Sequence, residues 1–234
     1  MNPDTLPFFN ELAVNNNREW FLDNKRRYDA IREEFVELTA QVIDELAPLD
    51  PTIGHPDPRK CLYRINRDLR FTPDKRPYKT HISFFLSSYG IKRSGEAGYY
   101  LQIGMEDYGL KGNGALGGGI FMPDKAKLAA IRQEIFYNTD DFLKVINDKE
   151  YRRYFGDTFL TMKKLSRTPK GYPNDWPHAD LLKYNDYCSA HTIPAKTITS
   201  DTLKDHVMRA FRATLPLNRF ILRATGELRE DKIM

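Results

Sequence analysis

Between residues 59 and 79 the chain concentrates the groups best suited to chemistry. Arg59, Lys60, Arg64, Arg67, Arg70, Lys75, Arg76 and Lys79 make eight bases against two acids, Asp68 and Asp74, a net of +6 where the whole chain is only +4. The residues before 59 hold five bases and twelve acids, a net of −7, so charge is segregated along the chain and not mixed as on an ordinary solvated face. Guanidinium groups are planar, permanently charged and offer a fork of donors matched to carboxylate or phosphate oxygens. The stretch therefore points to an anion site, with Arg64, Arg67, Arg70, Lys75, Tyr78 and Lys79 as the expected ligand contacts. Pro73 and Pro77 stiffen it by fixing φ twice. Arg64, Arg67 and Arg70 recur every third residue, which suits a helical turn or a curved loop around one acceptor; in a strand they could not share a face.

If the site is catalytic, phosphate-ester or nucleotide chemistry is the natural class, because fixed cations stabilise the negative charge that develops in phosphoryl transfer. Asp68, which would orient the arginines or act as a base, and His81, two residues past Lys79, are the acid–base candidates. Two other readings compete. The motif could be a structural network of ion pairs, drawing on Asp68 and on the acidic N-terminal segment, including Glu33, Glu34 and Glu37. It could also join residues 144–170, a second basic segment with eight bases against three acids, in a non-catalytic module for nucleic acid or an acidic partner. Against nucleic acid stand a pI of only about 8.9 and the absence of any helix-turn-helix, zinc-knuckle or RNP pattern.

The motif also carries a resemblance. Residues 64–79, RINRDLRFTPDKRPYK, match every fixed position of the signature RxxRDxRFxxxKxPYK of a family of uncharacterised, mostly bacterial proteins, domain of unknown function 2461. The NNNREWF stretch near the N-terminus and the GYY and glycine-rich stretches further on also look like that family. The resemblance implies a single domain of about this length and brings no activity, cofactor or catalytic residue with it.

Other chemistry is sparse. His55, His81, His178, His191 and His206 show no paired-ligand spacing, and Cys61 and Cys188 lie far apart, so no metal site, cofactor or disulfide framework is expected. Residues 112–119, GNGALGGG, contain a G-x-G-x-x-G string, but no helix opens from it and its flanks read as hairpin strands, which excludes a dinucleotide fold. Gly112, Gly114, Gly117 and Gly118 more often mark a bulge or strand curvature in such a run, with close backbone approach to a ligand as the alternative.

The elements that must position these groups follow from periodicity. Leu6, Phe8, Phe9 and Leu12 predict a short helix ending at the asparagines 15–17, and Tyr28, Ile31, Phe35, Leu38 and Val42 a long one over about 20–46, with Asn16 and Glu19 as its capping box. Runs rich in β-formers at 80–86 and 99–105, and a third run reaching 119–121, predict an antiparallel sheet of at least three or four strands; a further strand is expected near 187–193. Helices follow Pro123 and the cap at 139–141, a short one spans 178–184, and two more lie before and after Pro216. The expected fold is α+β, with the sheet packed against N-terminal, middle and C-terminal helices. The expected organisation is one domain over 1–234: a helical part at 5–47, the basic motif at 59–81, the sheet at 80–121 and a mainly helical part at 123–228. No run of eighteen apolar residues and no signal-peptide pattern occurs, so a cytoplasmic protein is expected. Its expected partner is an anionic small molecule, with nucleic acid as the alternative.

Overall fold

The structure, a computed structural model, describes residues 1–70, 74–90, 95–105, 112–157, 159–161 and 163–228, and for residue 89 the backbone alone. The N-terminal acidic segment forms α1 (Thr5–Val14), α2 (Arg18–Asp23) and α3 (Lys25–Leu46). A single helix over 20–46 with Asn16 as its cap is not what forms. Asn17 caps α2 by accepting from the Trp20 amide at 3.0 Å, and the Asn24 side chain turns back onto the Trp20 carbonyl at 2.9 Å. That ends α2 and restarts the chain as α3. Arg27 on α3 then ties down α1 through Asp4 at 2.7 Å and Glu11 at 2.7 Å.

After a short α4 (Pro58–Cys61) come the strands β1 (His81–Ser87), β2 (Ala97–Gly104) and β3 (Gly114–Ile120), then α5 (Lys125–Tyr137), α6 (Thr139–Ile146), α7 (Lys149–Phe155), β4 (Tyr187–Thr192), α8 (Ala195–Ile198) and α9 (Leu203–Ala224). The fold is α+β: among the described residues nine α-helices accompany one antiparallel sheet in the order β1-β2-β3-β4. The β1–β2 and β2–β3 turns expected from the sequence fall largely at 91–94 and 106–111, outside the described residues. The register through the glycine-rich β3 is unbroken, with Leu101 opposite Leu116 and Gly118 opposite Ser189, so those glycines mark no bulge.

Alternation gives the sheet two unlike faces. Ile82, Phe84 and Leu86 on β1, Tyr99, Leu101 and Ile103 on β2, and Leu116 and Ile120 on β3 point to the helices, and all are buried. Phe84 meets Phe35 of α3 at 5.6 Å and Phe211 of α9 at 6.2 Å, and Tyr99 meets Phe211 at 5.1 Å. The C-terminal segment is one helix of 22 residues, α9, not the two expected around Pro216. An interior proline costs about 3 kcal/mol. Phe211, Thr214, Leu217, Asn218 and Ile221 bury the same face on both sides of Pro216, and that continuous packing carries the helix through. Gly118 lets it come close, since a Cβ there would stand 2.7 Å from the Thr214 hydroxyl.

Each outer strand is extended by a paired segment. Leu62 bridges Phe84 beside β1, and Leu160 bridges Cys188 beside β4. No helix among the described residues is long and apolar enough to cross a membrane.

Candidate functional site

The basic motif folds back on itself as a hairpin attached to β1. The Tyr63 amide donates to the Ser83 carbonyl at 2.9 Å, the Arg67 amide to Pro77 at 2.9 Å and the Lys79 amide to Ile65 at 2.8 Å. Its first arm is extended, so of the two forms that suit the three-residue arginine spacing, a helical turn or a curved loop, the helical turn does not form: Arg64 is exposed and Arg67 is only partly so. The second arm is fastened from the N-terminal helices. Asn16 donates its amide to the Tyr78 carbonyl at 2.9 Å and accepts from the Tyr78 amide at 3.0 Å, as a neighbouring strand would. The Tyr78 ring stacks on Phe21 at 4.1 Å and is buried, which makes it a packing residue instead of the expected ligand contact.

The motif's outer loop satisfies most of its own charge. Asp68 accepts both the backbone amide of Arg70 at 3.2 Å and its guanidinium at 2.7 Å. Asp74 does the same for Arg76, at 3.1 and 2.7 Å, and also takes Arg67 at 2.5 Å. The Arg70 guanidinium holds the Asp68 carboxyl far below the usual carboxylate range, and Arg76, followed by Arg67, does so for Asp74. Asp68 is thus an ion-paired clip on the surface. Lys75 donates to the Leu69 carbonyl at 3.0 Å, and Arg59 pairs with Glu33 of α3 at 2.5 Å, a pairing with that acidic helix of the kind the sequence suggested.

Lys79 goes elsewhere. With Tyr63 it stands at one corner of a cavity of about 460 Å³ on the sheet face opposite α3 and α9, which carries no helix among the described residues, within the range of small-molecule pockets. Its ammonium lies 5.0 Å from the Tyr63 ring centroid, and Tyr63 lies 6.5 Å from Tyr100 across the cavity's edge. His81 and Ser83 of β1 line the same end. Burial first, then the charges of Lys79 and Arg67, push the His81 imidazole down to about 3. At physiological pH this keeps it neutral, with one ring nitrogen to donate a hydrogen bond and the other to accept one.

The floor is bare backbone. Gly98, Gly117 and Gly119 lie on neighbouring strands and line the cavity, as does Gly118. A Cβ built on Gly117 would overlap the Ser189 carbonyl oxygen, and one on Gly119, at φ +113°, would overlap that of Tyr187. Of the four glycines singled out in the sequence, Gly117 and Gly118 line the cavity, whereas Gly112 is exposed and Gly114 packs near Ile198. Asn218, fully buried on α9, holds the floor from beneath. It donates to the Gly98 carbonyl at 3.2 Å and accepts from the Gly119 amide at 2.8 Å, standing in for the ladder bond that these two residues would otherwise make.

The opposite end is closed by Glu96, Phe121, Met122 and Leu160. Lys127 of α5 holds the Glu96 carboxylate at 2.9 Å and pairs with Glu227 at 2.8 Å. Met122 is 60% exposed at the rim and takes φ +54°, the one non-glycine with positive φ among the described residues. Burial raises the Cys188 thiol far above its ordinary value, so on the floor it is an inert apolar group. Among the described residues no group of three His, Cys, Asp or Glu could share a metal ion.

The description "Conserved hypothetical protein (DUF2461)" matches residues 4–220, which includes the hairpin, the sheet and the Asn218 anchor. The chain belongs to this family. No curated protein and no solved structure matches it. The DUF2461 match assigns no chemistry, so the geometry has to carry the functional reading.

Sequence reasoning missed Ser83, Phe85, Gly98, Tyr100, Glu96 and Ala190, all of which line the cavity. The signal was present in part. Residues 98–100, GYY, place a glycine and a tyrosine on one face and Tyr99 on the other, but which face is open depends on where α9 packs.

Proposed function

We propose that this protein binds a phosphorylated or carboxylated small molecule in the cavity on the helix-free face of the sheet, with the acidic group beside Lys79 and neutral His81. What carries this is the delivery of one cation of the basic motif, Lys79, to the corner of a mainly apolar cavity whose one carboxylate among the lining residues, Glu96, lies at the far end and is held by Lys127. A single charge at the edge of a mostly apolar pocket fixes orientation, while the walls supply affinity. Arg67 adds its field near His81. Arg64, Arg70 and Lys75 act at longer range, as part of a motif with net +6 that attracts anions towards the hairpin. For the loop between Asp68 and Arg76 we take the structural reading, in which acids of the loop fix the backbone through their own arginines.

The test is calorimetry on the full chain with phenyl phosphate and benzoate, comparing wild type with Lys79→Met. A charge-assisted contact predicts about tenfold weaker binding in the variant for at least one probe. Equal affinity in both proteins, or no binding of either probe to wild type, overturns the reading.

A further inference from the structure

We infer that the ligand of this cavity is a planar aromatic anion, of one or two fused rings, lying flat on the glycine floor; this rests on the anion reading above. The cavity face is divided sharply. On β1 and β2 it carries large side chains, the cross-strand pair Phe85 and Tyr100. Beyond them it carries almost nothing: Gly98 on β2, Gly117 and Gly119 on β3, and Cys188 and Ala190 on β4. From Gly98, at the edge under the Phe85 ring, across β3 to β4 this bare shelf spans about 10 Å between strand axes, room for one ring and at most a fused bicycle.

The shelf is flat by necessity, because side chains on Gly117 and Gly119 would run into the backbone of β4. Its edges are aromatic. Phe85 leans over Gly98, where a Cβ would come within 2.8 Å of its ring carbon, and Tyr100 stands beside Gly117, with Phe121 at the far side. A puckered ring would leave gaps against peptide planes and flat walls, and such gaps forfeit dispersion contacts. A planar ring fills them and gains edge or offset contacts with Tyr100 and Phe85. Lys79, next to Tyr63 at the shelf's corner, then takes a carboxylate or phosphate attached to that ring.

The experiment compares 2-naphthoate with its saturated counterpart, decahydronaphthalene-2-carboxylate, which has the same charge and similar bulk. Wild type is expected to bind 2-naphthoate about five- to tenfold more tightly, and Tyr100→Leu to bring the ratio close to one. Ala190→Leu, which places a side chain on the shelf from β4, is expected to weaken 2-naphthoate at least about tenfold, and it serves as the second reading if Tyr100→Leu does not fold. Equal affinities in wild type, with Lys79→Met still weakening both, would overturn the planar ligand and leave the anion reading standing. A preference for 2-naphthoate that survives both variants would place the ring elsewhere and overturn the inference. No binding of either compound would overturn both readings together.

Discussion

The loop between Asp68 and Arg76 and the floor of the cavity are opposites. The loop is crowded with charge, and it closes that charge on itself through two Asp-x-Arg clips, Asp68 to Arg70 and Asp74 to Arg76. The floor holds no charge and hardly a side chain, and the cavity of about 460 Å³ lies over it. Charge density in a sequence measures how many ions a segment carries; whether they are available depends on the acids two residues away. A recess in a sheet is made by residues that contribute nothing to it, and by a neighbour that keeps the backbone in place.

Several variants would break or sharpen that contrast. Asn218→Leu strikes the floor hardest, because it strands the Gly98 carbonyl and the Gly119 amide in the core. At about 1–3 kcal/mol for each unpaired buried group, a loss of about 4 kcal/mol is expected in urea unfolding. Gly117→Ala comes next, at about 3 kcal/mol, because its methyl meets the Ser189 carbonyl and β4 must shift. A loss under about 1 kcal/mol there would mean that the sheet can flex enough to cover its own floor.

His81 gives a pH-dependent effect of intermediate size. The folded chain keeps the imidazole neutral down to about pH 3, whereas the unfolded chain protonates it near its ordinary value of 6.5. Between those values the unfolded state binds more protons, so this contribution is complete above about 6.5 and declines as pH falls toward 3. By pH 5 about 2 kcal/mol of it has been lost, read as the difference in pH sensitivity between wild type and His81→Gln. Identical pH profiles would show His81 to be solvated. The smallest effect belongs to the loop. Arg76→Ala removes one exposed clip and is expected to leave the melting temperature where it is, since exposed ion pairs contribute little. A clear drop in that scan would show the clips to be part of the framework and erase the contrast.

The strands and most helices could be read from the sequence because β-formers cluster at residues 81–87 and 97–104 and apolar residues recur at helical spacing in α3 and α9. The break at Asn24 could not, because it depends on a side chain returning to one carbonyl. Nor could the passage of α9 through Pro216, where burial against the sheet outweighs a local rule. The motif is visible as charge, and its clips are legible too, in the repeated D-x-R spacing at 68–70 and 74–76, which overlaps the arginine triplet at 64, 67 and 70. The cavity was the least visible feature. Its walls come from all four strands and both edge segments, and its defining residues are identified only by having no side chain.

Asn16 and Asn218 both act as surrogate strands, each using a single amide to satisfy one backbone donor and one backbone acceptor. Because the cavity floor is main chain held by such an amide, it cannot be recut by ordinary point changes without disturbing β4. Any chain sharing this architecture that came to prefer a different guest would have to record the change in its rim, at positions such as Phe85, Tyr100, Met122 and Leu160. Those four sites are where an engineer seeking new selectivity should begin.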